Sequence, residues 1–445
     1  MRIFVSLSLV LSALLLTGCA SSSKKDPRPN ILLIFTDDQG MNDLSCFGSE
    51  IKTPNIDSIA VQGAKFTSWY VASSICTPSR YSLMTGHYPS RSKDRLLGPL
   101  MFLEEQDKSR GIQQGETTIA AVLGEAGYET ALIGKWHLGH GDKKMLPLKH
   151  GFQKFIGHTG GCIDFFTMRY GIQQDWYHGN EHKDTVGYAT DIITEEAVDF
   201  ISEVREKPYF LYLSYNAPHF SKGWDVGRQQ TINFMQARDE DLKHVQYIED
   251  PIRRQFAAMV KSLDDGIGRV MAALEESGQA ENTLVLFMAD NGADYKYGGS
   301  NKPFRGQKAT LFEGGIRVPC VMKFPGIIKA GTVSNDQVGA IDLFPTFCKM
   351  AGVNPQKYLP DGHDIMKVLQ GGAMPQREML FELHMASALR VGDWKYYRDK
   401  DSGETMLFNL AEDKEEKYDL SKKNKDMFSR LQKRHDELLK EASAN

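Results

Sequence analysis

Long apolar runs are scarce in this chain of 445 residues. The longest, from Ile3 to Leu16, is too short to span a bilayer as a helix, and no later stretch is apolar enough to span one. Basic charge is not in excess either. The formal net charge is -4, and no basic stripe with interleaved aromatics occurs, which argues against a nucleic-acid binder. Internal repeats are absent, and low-complexity sequence is confined to a short stretch near the N-terminus, so a repeat array is excluded. Cysteine is limited to six residues. Cys46, Cys162, Cys320 and Cys348 have no spacing that selects a disulfide pairing, and no framework of bridges is assigned.

Arg2 followed by the apolar run suits the charged start and the h-region of a signal peptide. The run ends in Leu16-Thr17-Gly18-Cys19, which resembles the bacterial lipobox, where the cysteine is lipidated and becomes the mature N-terminus. Ala20-Ser21-Ser22-Ser23-Lys24-Lys25-Asp26 reads as a solvated tether. The expected division is a lipoprotein signal peptide over 1–18, a tether over 19–28, a main domain over 29–345 and a smaller one over 346–445. An exported bacterial lipoprotein is expected, anchored to a membrane through Cys19 in the periplasm or at the cell surface.

Several short apolar runs each stop at polar residues. Ile31-Leu32-Leu33-Ile34-Phe35 leads to Asp37-Asp38, and Ala131-Leu132-Ile133 leads to Lys135-Trp136-His137. Phe210-Leu211-Tyr212-Leu213 leads to Asn216-Ala217-Pro218-His219, and Leu284-Val285-Leu286-Phe287-Met288 leads to Asp290-Asn291-Gly292. Apolar residues in succession, rather than in alternation, suit strands covered on both faces. Between them lies a helical stripe of Ile252, Phe256, Met259, Val260, Leu263, Ile267, Val270, Met271 and Leu274. The pattern predicts an α/β domain with a largely parallel sheet sandwiched by helices, and ligands beyond the carboxyl ends of its strands. After about Asp342 the pattern fades. Residues 389–397 and 405–410 read as antiparallel strands and 425–442 as a final helix, which makes a smaller α+β subdomain.

Asp37, Asp38, Asp290 and Asn291 form a set of hard oxygen donors. Each pair alone is an ordinary turn signal; together at strand ends they suit a cation that offsets adjacent carboxylates. Oxygen donors without Cys or His favour Ca²⁺ over Zn²⁺, with Mg²⁺ next.

The segment Cys76-Thr77-Pro78-Ser79-Arg80, continued by Leu83-Met84-Thr85-Gly86, resembles the signature of the type I sulfatases, of the alkaline phosphatase superfamily. Pro78 and Ser79 suit a first helical turn, so Cys76 is expected near a helix N-terminus, where unpaired N–H groups favour an anion. The resemblance implies that Cys76 is converted to formylglycine (3-oxoalanine) by a maturation enzyme, and that its hydrate is the nucleophile. It further implies an alkaline-phosphatase-like fold and one Ca²⁺ held by Asp37, Asp38, Asp290, Asn291 and the modified Cys76. Gly134-Lys135-Trp136-His137-Leu138-Gly139, Ala217-Pro218-His219 and Lys308 also match family motifs. By that resemblance Arg80 and Lys135 hold the hydrate, and Lys135 and Lys308 hold sulfate oxygens. His219 protonates the leaving alcohol, and His137 takes a proton as sulfate is expelled.

Glu313, in Glu313-Gly314-Gly315-Ile316-Arg317, reads as support for the Lys308 loop, and Asp264 and Asp265 as structural or solvent-facing. Asp175-Trp176-Tyr177-His178 suits either a sugar contact or an ordinary packed loop. The expected function is hydrolysis of sulfate esters on a sulfated carbohydrate, the carbohydrate being implied by lipoprotein status and family habit. Two other readings stay open: a phosphonate or phosphate-diester hydrolase with a nearly identical site, and a non-catalytic glycan-binding lipoprotein.

Overall fold

The structure, a computed structural model, describes residues 26–443. The expected signal peptide and Cys19 lie outside the described residues.

Ten strands form the main sheet: β1 Asn30–Thr36, β2 Ala64–Phe66, β3 Glu129–Lys135, β4 Lys154–His158, β5 Tyr177–His178, β6 Glu181–His182, β7 Tyr209–Ser214, β8 Thr283–Ala289, β9 Cys320–Lys323 and β10 Thr332–Ser334. Their order across the sheet is β10-β2-β9-β8-β1-β7-β3-β4-β5-β6. The central strands β8, β1, β7, β3 and β4 are mutually parallel, and antiparallel pairs flank them on both sides.

Every residue of β1 and β8 is buried, as a sheet covered on both faces demands. Alternate side chains divide between two cores. Ile31, Leu33, Phe35, Leu132, Leu284 and Leu286 pack toward α2 (Cys76–Thr85), α3 (Ile119–Glu125) and α6 (Leu343–Met350). Leu32, Ile34, Ile133, Leu211, Val285 and Phe287 pack toward α1 (Pro54–Gln62), α4 (Ala189–Ser202) and α5 (Pro251–Glu276). The stripe read from Ile252 to Leu274 is the buried face of α5 from Phe256 onward, with Met271 half-buried; Ile252, in the first turn, is exposed. Asp264, on that helix, is buried and accepts the N–H groups of Asn55 and Ile56 at the start of α1, a structural role.

The C-terminal sheet is antiparallel, in the order β11 (Glu378–Glu382), β12 (Ala386–Val391), β13 (Trp394–Asp399), β14 (Thr405–Asn409). The stretch 389–397, expected as one strand, is a hairpin: Gly392 adopts φ 57 and reverses the chain between β12 and β13. Helix α7, Lys425–Ser443, follows. Phe381, Ala388, Tyr397 and Phe408 of this sheet belong to the same continuous core as β1 and β8. The division expected after residue 345 falls within α6. All the described cysteines are free thiols.

Candidate active site

The residues singled out from the sequence converge at the carboxyl ends of the central strands. Thr36, last in β1, pairs in register with Ala289, last in β8, so Asp37-Asp38 and Asp290-Asn291 leave the sheet side by side. The turn is tight enough that Asp38 adopts φ 59. Its N–H donates to Asp290 Oδ1 at 3.0 Å, and Asn291 Nδ2 donates to Asp38 Oδ1 at 2.8 Å. Helix α2 starts at Cys76, which brings that side chain to the helix N-terminus, where main-chain N–H groups lack helical partners.

Donor atoms of Asp37, Cys76 and Asp290 all lie within 4.8 Å of one another, each buried. Burial opposes ionisation of both carboxyls. At Asp37 the charges of Lys135 and Arg80 outweigh it and hold the carboxyl well below its usual range. At Asp290 burial and the neighbouring Asp37 prevail, and the carboxyl sits well above it. Asp37 Oδ1 and Asn291 Oδ1 are buried without a hydrogen-bond partner, although buried acceptors are rarely left so. Unused oxygens beside two crowded carboxyl groups fit a hard divalent cation. A second acidic grouping, Asp37, Asp38 and His219, offers an imidazole as well. That ring is otherwise engaged, because His219 Nε2 lies 3.0 Å from Lys308 Nζ.

Cations surround the carboxylates. Arg80, fully buried one turn into α2, pairs with Asp290 Oδ2 at 3.1 Å and donates to Ser214 Oγ at 2.7 Å and the Tyr212 hydroxyl at 3.2 Å. Lys135, last in β3, pairs with Asp37 and donates to the Gly161 carbonyl at 2.6 Å. Lys308 pairs with Asp38 Oδ2 at 2.6 Å. Burial disfavours its charge, but Asp38 reverses the balance and holds the ammonium firmly protonated.

The histidine tautomers are fixed by their partners. His137 Nε2 lies 2.9 Å from the Leu100 carbonyl, so that nitrogen carries the hydrogen and Nδ1, buried and unpartnered, is left as the bare base. Burial and Lys135 keep this ring well below its usual pKa, hence neutral. His219 Nδ1 donates to the Phe220 carbonyl at 2.8 Å, and Nε2 accepts from Lys308. Burial and Lys308 push His219 down to about 4. In this state the His219 ring is neutral and Lys308 beside it carries a proton.

A cavity of about 400 Å³ opens over Cys76, His137, His219 and Lys308. Sequence reading missed Ser214 and Tyr212, which orient Arg80; a polar residue ending a buried apolar run was the available signal. It placed Glu313 as support for the Lys308 loop but missed the partners of that residue. Glu313 accepts from the Tyr70 hydroxyl at 2.6 Å and pairs with Lys395 of β13 at 3.0 Å. Lys395 also pairs with Glu416 at 2.8 Å, whose carboxylate accepts the Glu313 N–H at 2.6 Å. Asp175 and Trp176 are packed and lead into β5: Asp175 accepts from Thr159 and Gly160, and Trp176 is buried against His158.

A profile described as Sulfatase matches residues 29–353, and one described as N-sulphoglucosamine sulphohydrolase, C-terminal, matches residues 306–443. The chain belongs to the sulfatase family. It is a sulfuric ester hydrolase with the alkaline-phosphatase-like α/β architecture of that family. N-acetylgalactosamine-6-sulfatase of Mus musculus is 33% identical over 412 residues, covering 87% of this chain and 75% of that protein. Steryl-sulfatase of Mus musculus is 30% identical, covering 80% of this chain and 67% of that one. Among solved structures, Ps i-CgsB in complex with k-i-k-neocarrahexaose aligns with a TM-score of 0.83 at 31% identity, covering 93% of each chain. The sulfatase signature starting at Cys76 thus lies in a family member with its acidic and cationic partners assembled around it.

Proposed function

We propose that this sulfatase removes sulfate from a sulfated carbohydrate, using a formylglycine made from Cys76 and one bound Ca²⁺. One observation carries the reading: Cys76, at the start of α2, lies among the Asp37 and Asp290 carboxylates and also lines the cavity. Asp37, Asp38, Asp290 and Asn291 would hold the ion, and the unpartnered oxygens of Asp37 and Asn291 support that assignment. The hydrated aldehyde supplies a hydroxyl nucleophile with a second hydroxyl for release of sulfate, and the ion supplies fixed positive charge.

The chain's own residues do the rest. Arg80 and Lys135, both fully buried, keep positive charge beside position 76 and orient the group there. Lys308, at the cavity, meets the sulfate oxygens as charge builds on them. It also holds the proton that the departing alkoxide needs, passed directly or through the 3.0 Å contact with His219 Nε2. His137, with Nδ1 bare, accepts the proton that must leave position 76 before sulfate is expelled. Such acid–base steps are each worth about 10²–10⁴-fold.

The carbohydrate assignment draws on the relatives, one named for N-acetylgalactosamine 6-sulfate and one solved with a neocarrahexaose. The reading includes a maturation enzyme that oxidises Cys76, and export as a lipoprotein anchored through Cys19 to a bacterial membrane. Among the described residues no helix is long and apolar enough to cross a membrane. The test is sulfate release from galactose- and hexosamine-based sulfated saccharides, alongside 4-nitrophenyl sulfate and 4-nitrophenyl phosphate. Release from saccharides is expected; a large preference for the phosphate ester overturns the reading in favour of phosphoryl transfer.

A further inference from the structure

Beyond the reactive groups, the same cavity is lined by aromatic rings and two more lysines. Phe220 follows His219 directly, and its ring lies 4.4 Å from that of Tyr297. Lys308 Nζ is 5.6 Å from the Phe220 ring, and Lys296 Nζ is 5.2 Å from the Tyr297 ring. Lys308, Phe220, Tyr297 and Lys296 thus trace one wall outward from the reactive centre. A second pair, Phe102 and Tyr170, stacks at 4.9 Å, with Lys222 Nζ 5.4 Å from the Tyr170 ring.

Lys222 is fixed in place. It lies on the strand Ser221–Asp225, opposite Asn233 of Gln230–Phe234, and donates to Asn233 Oδ1 at 2.8 Å. Asn233 Nδ2 in turn donates to the Tyr297 hydroxyl at 3.2 Å, so Lys222 and Lys296 are both tied to Tyr297. Neither ammonium pairs with a carboxylate among the described residues. The one acid nearby on the lining, Asp294, is occupied in accepting the Lys296 N–H at 2.9 Å. Both ammonium groups line the cavity without a carboxylate of their own, an arrangement that an anion would complete. Aromatic faces separate them from Lys308, so that anion lies beyond the ring being desulfated.

We propose that Lys222 and Lys296 form a second anion subsite, which takes a sulfate or carboxylate on the sugar next to the one losing its sulfate. The preferred substrate is then a glycan charged on adjacent rings. This rests on the carbohydrate reading above.

The test uses the mature, full-length enzyme and three disaccharides sulfated on one ring, the neighbouring ring being neutral, sulfated or a uronate; 4-nitrophenyl sulfate is the reference. For the wild type, kcat/KM is expected to be about tenfold higher with a charged neighbour, as fits two partly exposed charge pairs, and to fall with added salt. The larger of the two charged arms identifies sulfate or carboxylate as the natural anion. In the double variant Lys222→Met, Lys296→Met that preference should vanish, with the nitrophenyl ester hydrolysed within about twofold of wild type. Equal rates on charged and neutral neighbours, or a variant that weakens all substrates alike, overturns the subsite alone. Turnover of the nitrophenyl ester with none of any saccharide overturns the carbohydrate reading, and the subsite with it.

Discussion

Replacing Asp290 by Asn makes a prediction whose sign depends on whether the metal is present. In the metal-free protein, burial and Asp37 hold the Asp290 carboxyl well above its ordinary range, so the native state resists the charge that the amide would remove. Asp290→Asn should therefore leave metal-free stability unchanged or raise it, despite the Arg80 contact at 3.1 Å. Linkage gives the same sign. A native carboxyl that binds its proton more tightly than the unfolded chain makes metal-free stability fall as pH rises above about 4, and the amide removes that fall. With calcium the order reverses. An ion at a hundred times its Kd stabilises the native state by about 2.7 kcal/mol. A chain of 445 residues has an unfolding entropy of roughly 0.9 kcal/mol per degree, so the wild type should gain about 3 °C in Tm. Asp290→Asn should lose most of that gain. The assay is differential scanning calorimetry with chelator and with calcium, which needs no substrate and no maturation of Cys76. A variant that melts several degrees lower in chelator, or keeps the full calcium gain, refutes the assignment of Asp290 as a crowded ligand.

Other expectations follow from the same geometry. Cys76→Ala should abolish turnover and leave Tm within about a degree, since only one small side chain is lost; persistent sulfate release would remove Cys76 from its proposed role. His219→Ala should slow alkyl sulfates by about 10²–10⁴-fold. It should slow nitrophenyl sulfate far less, because nitrophenolate leaves without a proton; equal losses on both would deny His219 any part in proton delivery. Glu416 is raised to about 7 from 4.5, burial outweighing Lys395, so its native form holds a proton that the unfolded chain has lost. Stability should thus fall between pH 4.5 and 7 by up to about 3 kcal/mol, and Glu416→Gln should flatten that slope in urea titrations. Lys395→Met leaves Glu313 and Glu416 without their shared cation and should cost about 3–5 kcal/mol; loss of less than 1 kcal/mol would make the triad incidental.

Much of the site was legible because its chemistry hangs on buried strands. Runs such as Leu284-Val285-Leu286-Phe287-Met288 are apolar at every position only when both faces are covered, and polar residues at their ends mark the sheet's edge. Asp37, Asp290, Lys135 and His219 were readable in that way, and Cys76 through its motif. Lys308 had no strand to announce it and rested on resemblance alone. The two-residue strands β5 and β6 carry too little pattern to read, and the β12–β13 hairpin was hidden by an uninterrupted β-like run through Gly392. The contact between Glu313 and Lys395 spans 82 residues, and no local pattern encodes such a pairing. The proton relation between Lys308 and His219 depends on tautomers set by the Phe220 carbonyl, which only geometry reveals.

The Glu313–Lys395–Glu416 triad bears on how such a protein could be cut and recombined. The Lys308 loop is braced by charges contributed from far down the chain, so the C-terminal sheet is not an interchangeable accessory. A chimera that grafts a foreign tail here should assemble only if the incoming piece brings its own ammonium and carboxylate to meet Glu313, whatever the overall similarity of the donor.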